Sequence, residues 1–512
     1  MTSRFSRRQM VKAAVLGLAS ATLPACGGGS DSKDPPVDDD QGTPGPGPEP
    51  CVVPEPQTGP QQPRGLHVSW TDDLFTTRTM TWFTDGSRDP GSIVEYGPLE
   101  SGMEECHILS APFPFRASGL SHETYGVDAL THAATISSID PERGIRYRVG
   151  SSGGGWSEVH TLPPFPRDKF RFCHFGDQAV RDSSRRVMDS VRQQNPDFFL
   201  VAGDLSYANG DQPVWDRYFD MLEPYTARLP MMTCPGNHEA KDGRGQGYRT
   251  RFSQPGEGTY FTWDVHRVHF LFSTGGSLLR DLSTAKELME ELDFMEKDLA
   301  DAYQRRQNGE IDFIVLVQHY PLWTNTEGRS PANFSLVALE EKMLLRYEVD
   351  LVLAGHDHLY ERSHPTMRGK PAEGGYIQVT QGGGGKSLYS LIAKPAAWAA
   401  VSRVCHGYTV LDVEGRTLRA RSYAVSDSDG NLFEPDADQL IDSFEIPARV
   451  PAASARSAVA GSAAADAKAL LPLRKARRLE DMEIDLHAML LHTIQRNRDH
   501  DLHEEGLEHD ED

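Results

Sequence analysis

Five short polar clusters, each placed directly after an apolar run, constrain this chain more than any other feature. They are Gly176-Asp177-Gln178, Gly203-Asp204-Leu205-Ser206-Tyr207, Gly236-Asn237-His238-Glu239, Val317-Gln318-His319 and Gly355-His356-Asp357-His358. Apolar runs of this length read as buried strands, and open α/β sheets gather their functional groups at the carboxyl ends of such strands. Strands are expected over Phe170–Phe175, Phe198–Val201, Met231–Thr233, Val268–Ser273, Phe313–Val317, Leu351–Leu353 and Tyr376–Val379. Helices are expected over Ser183–Gln193, Thr284–Tyr303 and Leu336–Tyr347, and closing strands over Gly407–Val413, Thr417–Ala424 and Ile441–Ile446.

The chemistry of the clusters is that of a metal site. Carboxylate, phenolate, amide oxygen and imidazole are the donors that hard-to-borderline cations take. Two cations roughly 3.5–4 Å apart need a shared carboxylate, which an Asp at the end of a central strand can supply. Glycine before four of the clusters lets the backbone turn sharply toward the site. Each cluster alone is weak: a lone Gly-Asp is usually a strand-end turn, and a lone buried His is usually a core residue. All five in this order over one domain are not explained that way.

The flanking segments differ in kind. Residues 65–164 hold short alternating runs, among them Gly65–Trp70, Thr79–Phe83, Ser92–Tyr96, Ala133–Ile136 and Ile145–Val149, with turn residues between them. That pattern implies a small all-β sandwich of fibronectin type III kind, with no helical period. Residues 27–64 are rich in Gly, Pro and Asp and are expected to form a tether. Residues 1–26 read as an address: Arg7-Arg8 fits a twin-arginine signal, the apolar run Ala13–Leu23 is too short to span a bilayer, and Leu23-Pro24-Ala25-Cys26 resembles a lipobox. The expectation is an exported bacterial protein of the periplasm or cell envelope, anchored to a membrane through lipid on Cys26. Residues 448–512 form an Ala-rich linker and an acidic tail with His487, His492, His500, His503 and His509. They are expected to be solvated, with a short amphipathic helix near 480–497, and dispensable for catalysis. Without Cys26 five cysteines remain, so they cannot all pair within the chain. Cys173 and Cys234 read as buried thiols, and an oxidising compartment permits a Cys51–Cys106 bond.

A formal net charge of −22 excludes an electrostatic footprint for nucleic acid, so anionic phosphate must be attracted by local cations. Gly382-Gly383-Gly384-Gly385-Lys386-Ser387 fails as a phosphate-binding P-loop, because Thr380 stands where its first Gly belongs.

Taken together, residues from about 66 to 447 resemble the purple acid phosphatase branch of the calcineurin-like metallophosphoesterases. The resemblance implies a four-layer αββα core over 167–447, preceded by the sandwich domain. It implies that Asp177, Asp204, Tyr207 and His358 hold an iron(III), and that Asp204 bridges to a divalent ion (zinc, iron or manganese) held by Asn237, His319 and His356. It further implies an acid phosphatase acting on small phosphate monoesters through a metal-activated hydroxide, with His238 as proton donor or phosphate contact. Tyr207 matches the family's metal-bound tyrosinate, and Ala179 stands where other branches place a ligand His. Ala179 is also a departure, since this family usually has Gly there, and Tyr320–Asn325 lacks the histidines that face substrate in plant and animal members. A phosphodiesterase or nucleotidase on the same core, or a surface protein that only binds phosphate or metal, are the readings left beside it.

Overall fold

The computed structural model describes residues 57–256, 258–281 and 284–449, together with Val53, Glu55, Leu490, Leu491 and residues 493–498. The twin-arginine segment, Cys26, most of the tether, Cys51 and most of the tail lie outside the described residues.

Residues 64–162 form two antiparallel layers. Strands Arg64–Ser69, Arg78–Asp85, Ala129–Ile136 and Leu120–Glu123 make one; Phe115–Ser118, Ile93–Leu99, Gly144–Ser151 and Gly155–Trp156 make the other, with His160–Leu162 also pairing on Gly144–Ser151. Alternating residues such as Leu66, Val68, Met80, Trp82, Val94, Tyr147 and Val149 meet between them. A short helix, Glu105–Ser110, interrupts the otherwise all-β reading and buries no residue. Cys106 within it is disulfide-bonded, while Cys173, Cys234 and Cys405 are buried free thiols.

The catalytic region stacks two sheets. The first runs Met231–Cys234, Phe198–Ala202, Lys169–Phe175, Gly407–Glu414, Thr417–Ala424, Gln439–Pro447. The second runs Phe261–Val265, Val268–Phe272, Phe313–Val317, Leu351–Ala354, Ile377–Gln381, Tyr360–Ser363, Ala399–Arg403. Their facing sides bury one apolar cluster, including Phe172, Phe198, Leu200, Phe270, Phe272, Val315 and Leu353. Helices Asp182–Gln193 and Gln212–Thr226 cover the outer face of the first sheet, and Ala285–Gln307 with the pair Phe334–Leu339 and Glu341–Arg346 cover the second. The four-layer αββα order is therefore present.

The sandwich packs on this core. Its first strand meets the Gln212–Thr226 helix: His67 stacks on Phe219 at 4.9 Å, and the Gly65 N–H donates to Glu223 at 2.9 Å. Arg64 pairs with Asp216 at 2.7 Å, and the Tyr147 hydroxyl donates to the Ala227 carbonyl at 2.8 Å.

The tail departs from the expectation of a solvated segment. Its described residues are helical, with Leu490, Thr493, Ile494 and Asn497 buried against the core. Their i, i+3, i+4, i+7 spacing is one face of a helix, and Leu490 and Ile494 join the cluster holding Leu288 and Leu292.

Candidate metal centre

Every sequence-predicted site residue arrives at one place, at the carboxyl ends of strands from both sheets. Asp177 follows Lys169–Phe175, Asp204 and Tyr207 follow Phe198–Ala202, and Asn237 and His238 follow Met231–Cys234. From the facing sheet, His319 follows Phe313–Val317, and His356 and His358 follow Leu351–Ala354.

The donor atoms converge in two groups. In one, Tyr207 Oη lies 3.2 Å from Asp177 Oδ1 and 2.9 Å from His358 Nε2, and His358 Nε2 is 3.4 Å from Asp177 Oδ1. In the other, His319 Nε2 lies 3.1 Å from Asp204 Oδ2, 3.0 Å from Asn237 Oδ1 and 3.3 Å from His356 Nδ1. Asp204, His319 and His356 bring one ligand atom each to within 4.8 Å of one another.

Hydrogen bonds to the far nitrogens set the imidazoles. His319 Nδ1 donates to the Ala202 carbonyl at 2.8 Å, and His358 Nδ1 donates to the Ser387 carbonyl at 2.7 Å. In its neutral form each therefore leaves Nε2 free of hydrogen for a cation. His238 Nδ1 meets Asn209 Oδ1 at 2.6 Å, so with that oxygen accepting, Nε2 is turned to Asp204 Oδ2 at 3.8 Å.

The electrostatics fit cations. Asp177 and Asp204 are fully buried, and burying like carboxylates together is costly unless positive charge joins them. Burial raises the Asp177 pKa, against the pull of His358. Burial alone would lower the His319 pKa, yet Asp204 and Asp177 raise it to about 9. The pocket thus draws a proton where a metal would sit. The donor set of carboxylate, phenol, amide oxygen and imidazole suits iron, zinc or manganese.

The loops are built differently from the expectation that glycine supplies the sharp turns. Among the four glycines, only Gly203 has a left-handed φ, at 79°. Asp177, Ala179, Asp204, Tyr207 and His356 themselves hold φ between 51° and 71°. For such residues this costs about 1 kcal/mol each, and the loop bonds hold it in place. The N–H groups of Asp177, Gln178 and Ala179 donate to the carbonyls of Gly203, Asp204 and Leu205 at 3.1, 3.0 and 2.8 Å. The remaining glycines are needed for space: a Cβ on Gly236 would stand 2.1 Å from Asp204 Oδ1, and one on Gly355 2.6 Å from Asp177 Oδ2. The Gly382–Gly385 run is packed the same way across the Asp177 loop, with Lys386 Nζ 5.0 Å from the Tyr207 ring centre.

Three supporting residues have no role that sequence assigns. The Glu239 carboxylate accepts from the N–H groups of Asp204, Leu205 and Gly236 at 2.9, 2.9 and 2.7 Å, tying two ligand loops. Its position in Asn237-His238-Glu239, inside a cluster of chemistry-bearing residues, is the available signal. Arg329 touches His356 Nε2, with its Nε 3.0 Å from Asp357 Oδ1. Arg280 donates to the Asn237 carbonyl at 2.6 Å. Neither arginine stands in a motif.

The comparisons agree with this geometry. A model described as calcineurin-like phosphoesterase matches residues 170–360, and one described as the purple acid phosphatase N-terminal domain matches residues 63–162. Mouse acid phosphatase type 7 is 28% identical over 419 residues, covering 73% of this chain and 90% of that protein. Purple acid phosphatase 21 of Arabidopsis thaliana is 26% identical over 352 residues, covering 65% and 74%. The solved purple acid phosphatase PPD1 from yellow lupin seeds superposes with a TM-score of 0.60 at 21% identity over 76% of this chain and 74% of that one, a likeness of fold. Fold and site define a calcineurin-like metallophosphoesterase. Within that class, the chain belongs to the purple acid phosphatase family.

Proposed function

We propose that the protein is an acid phosphatase that hydrolyses small phosphate monoesters at a centre of one iron(III) and one divalent ion. The observation that carries this reading is the Tyr207 phenol oxygen within hydrogen-bond distance of both Asp177 and His358, beside a second donor group on Asp204. Asp177, Asp204, Tyr207 and His358 would hold the iron, and Asp204, Asn237, His319 and His356 the divalent ion, either zinc, iron or manganese. When bound, the two cations supply Lewis acidity, making water acidic enough to attack phosphorus at mild pH and neutralising phosphate oxygens. The chain's own part is to exclude water, hold the ligands and manage a proton. His238, fixed through Nδ1 by Asn209, presents Nε2 to the site and can hold or give a proton to the leaving alkoxide.

Purified protein assayed for metal content, visible absorbance and turnover of mono- and diesters across pH tests the reading. Iron, a visible tyrosinate band and a monoester preference are expected. An iron-loaded, oxidised, colourless protein overturns the iron(III)–tyrosinate centre, and a diester preference overturns the substrate class.

We also propose export by the twin-arginine route and membrane retention through a lipid on Cys26, on the strength of Arg7-Arg8 and the Leu23–Cys26 sequence. Cys26→Ser should move the protein to the soluble fraction, and unchanged membrane retention would rule the anchor out.

A further inference from the structure

The helical residues near the C-terminal end reach the metal centre through one side chain. Asn497 is 1% exposed. Its Nδ2 donates to the Leu279 carbonyl at 2.7 Å and the Gly276 carbonyl at 3.3 Å, which fixes the helix on the loop after Val268–Phe272. Its Oδ1 accepts from the Tyr320 hydroxyl at 3.0 Å and from Arg496 at 3.0 Å. Its carbonyl faces Arg280 Nη1 at 3.5 Å, and the other end of that guanidinium is the donor to the Asn237 carbonyl.

Two relays, each one residue long, therefore leave Asn497. One runs through Arg280 to the backbone of Asn237. The other runs through Tyr320, whose ring stands edge-on to His356 at 4.4 Å between centroids. Arg496 holds the same tyrosine, its guanidinium 4.3 Å from the ring centre. Leu490, Thr493 and Ile494 bury the same helix face.

We propose that this helix is a clamp on the divalent half of the centre, with Asn497 the positioning residue that sets how tightly Asn237, His319 and His356 hold their ion. The inference rests on the two-metal reading above. Outer partners of metal ligands typically govern metal affinity by ~10–100-fold. Loss of the clamp therefore weakens one ion and spares the other, a selectivity that a general loss of stability does not produce.

The test uses the full chain carrying Asn497→Ala, with Arg280→Lys as a second variant that shortens the reach between Asn497 and Asn237. A third variant, Val149→Ala in the distant sandwich core, supplies a loss of stability unrelated to the site. Each is titrated with a divalent-ion chelator while iron, the divalent ion and visible absorbance are followed. Expected is a divalent affinity ~10–100-fold weaker in both site variants, with iron and colour kept, and an unchanged metal ratio in Val149→Ala. Equal retention of both ions in Asn497→Ala and Arg280→Lys, or parallel loss of both, overturns the clamp. A wild-type protein that takes up only one ion per chain overturns the two-metal reading itself, and is distinguished by the untreated control.

Discussion

The two halves of the metal centre are held by different means. Asp177, Asp204 and Tyr207 all follow strands of one sheet, and neighbouring loops lock them through a run of backbone hydrogen bonds at left-handed φ. His319 and His356 come from the other sheet, Asn237 from the edge of the first, and side chains of separate segments surround them: Arg280, Tyr320, Arg329 and, from far along the chain, Asn497. Three members of the tyrosine-bearing half are stiffened by local backbone, and His358 alone reaches it from the facing sheet, held at Nδ1 by the Ser387 carbonyl. The other half is a meeting of separate elements, and its geometry is adjustable from a distance.

The largest expected effect comes from Asp204, the carboxylate proposed to serve both ions, whose Oδ2 lies 3.1 Å from His319 Nε2. Asp204→Asn should lose more turnover than the ~10–100-fold typical of a residue that only supports a ligand, with both ions weakened together in metal analysis. Loss of one ion alone would mean that Asp204 serves a single half. Tyr207→Phe should abolish the visible band while the divalent ion is retained, because the phenol oxygen belongs to the backbone-held half only. A spectrum unchanged by that substitution would show Tyr207 to be packing rather than ligating.

The second sheet has a pH-sensitive support. Burial alone would lower the His269 pKa, but Asp264 and Asp298, at 2.7 and 2.8 Å, raise it to about 9. A raised pKa contributes stability in full below the unfolded value near ~6.5, and that stability is lost as pH rises through about 9. A tenfold change in proton affinity is worth ~1.4 kcal/mol, so the contribution at pH 6 is about 3 kcal/mol. His269→Gln should lower the unfolding free energy by that amount at pH 6 and by little at pH 10 in denaturant titrations. A pH-independent difference would assign the loss to packing. The smallest effect is at Ala179, whose φ of 57° is strained for any residue with a Cβ. Ala179→Gly should raise stability by at most ~1 kcal/mol, with metal content unchanged. A destabilised variant would show that the methyl group, only 5% exposed, packs for more than the strain costs.

Most of this is legible in sequence because strand-end clusters announce themselves. An apolar run followed by Gly-Asp or Gly-His places both strand and ligand, and all eight candidate residues meet. Strands Phe261–Val265, Tyr360–Ser363 and Ala399–Arg403 escape such a reading, and two helices show why others do. The Gln212–Thr226 helix carries Pro213 in its first turn, where proline is tolerated, and Pro224 inside, where it ordinarily breaks a helix. The expected helix Leu336–Tyr347 is instead two short ones meeting at Glu340, a buried acid whose pKa burial and Glu291 push to about 8. Arg280, Arg329 and Asn497 cannot be read at all, since nothing in local composition reports a partner far away along the chain. The tail misleads for a related reason: its amphipathic helix is legible, but strong charge in the surrounding sequence hides that Leu490, Thr493, Ile494 and Asn497 bury against the core.

The strand that carries Asp177 has a consequence for how the chain comes into being. Lys169–Phe175 is flanked on one side by Phe198–Ala202 and on the other by Gly407–Glu414. Across that second edge, Arg171 meets Asp412, which stands 241 residues away in sequence. Contacts so distant are slow to close, because loop entropy must be met before pairing rewards it. Until Gly407–Glu414 arrives, the central strand exposes a row of unpaired amides next to the phenylalanines of its core face. Two unfinished chains could pair there, so the hazard for this protein in synthesis and refolding lies at the strand beneath the metal centre, and crowded refolding should cost yield before it costs activity.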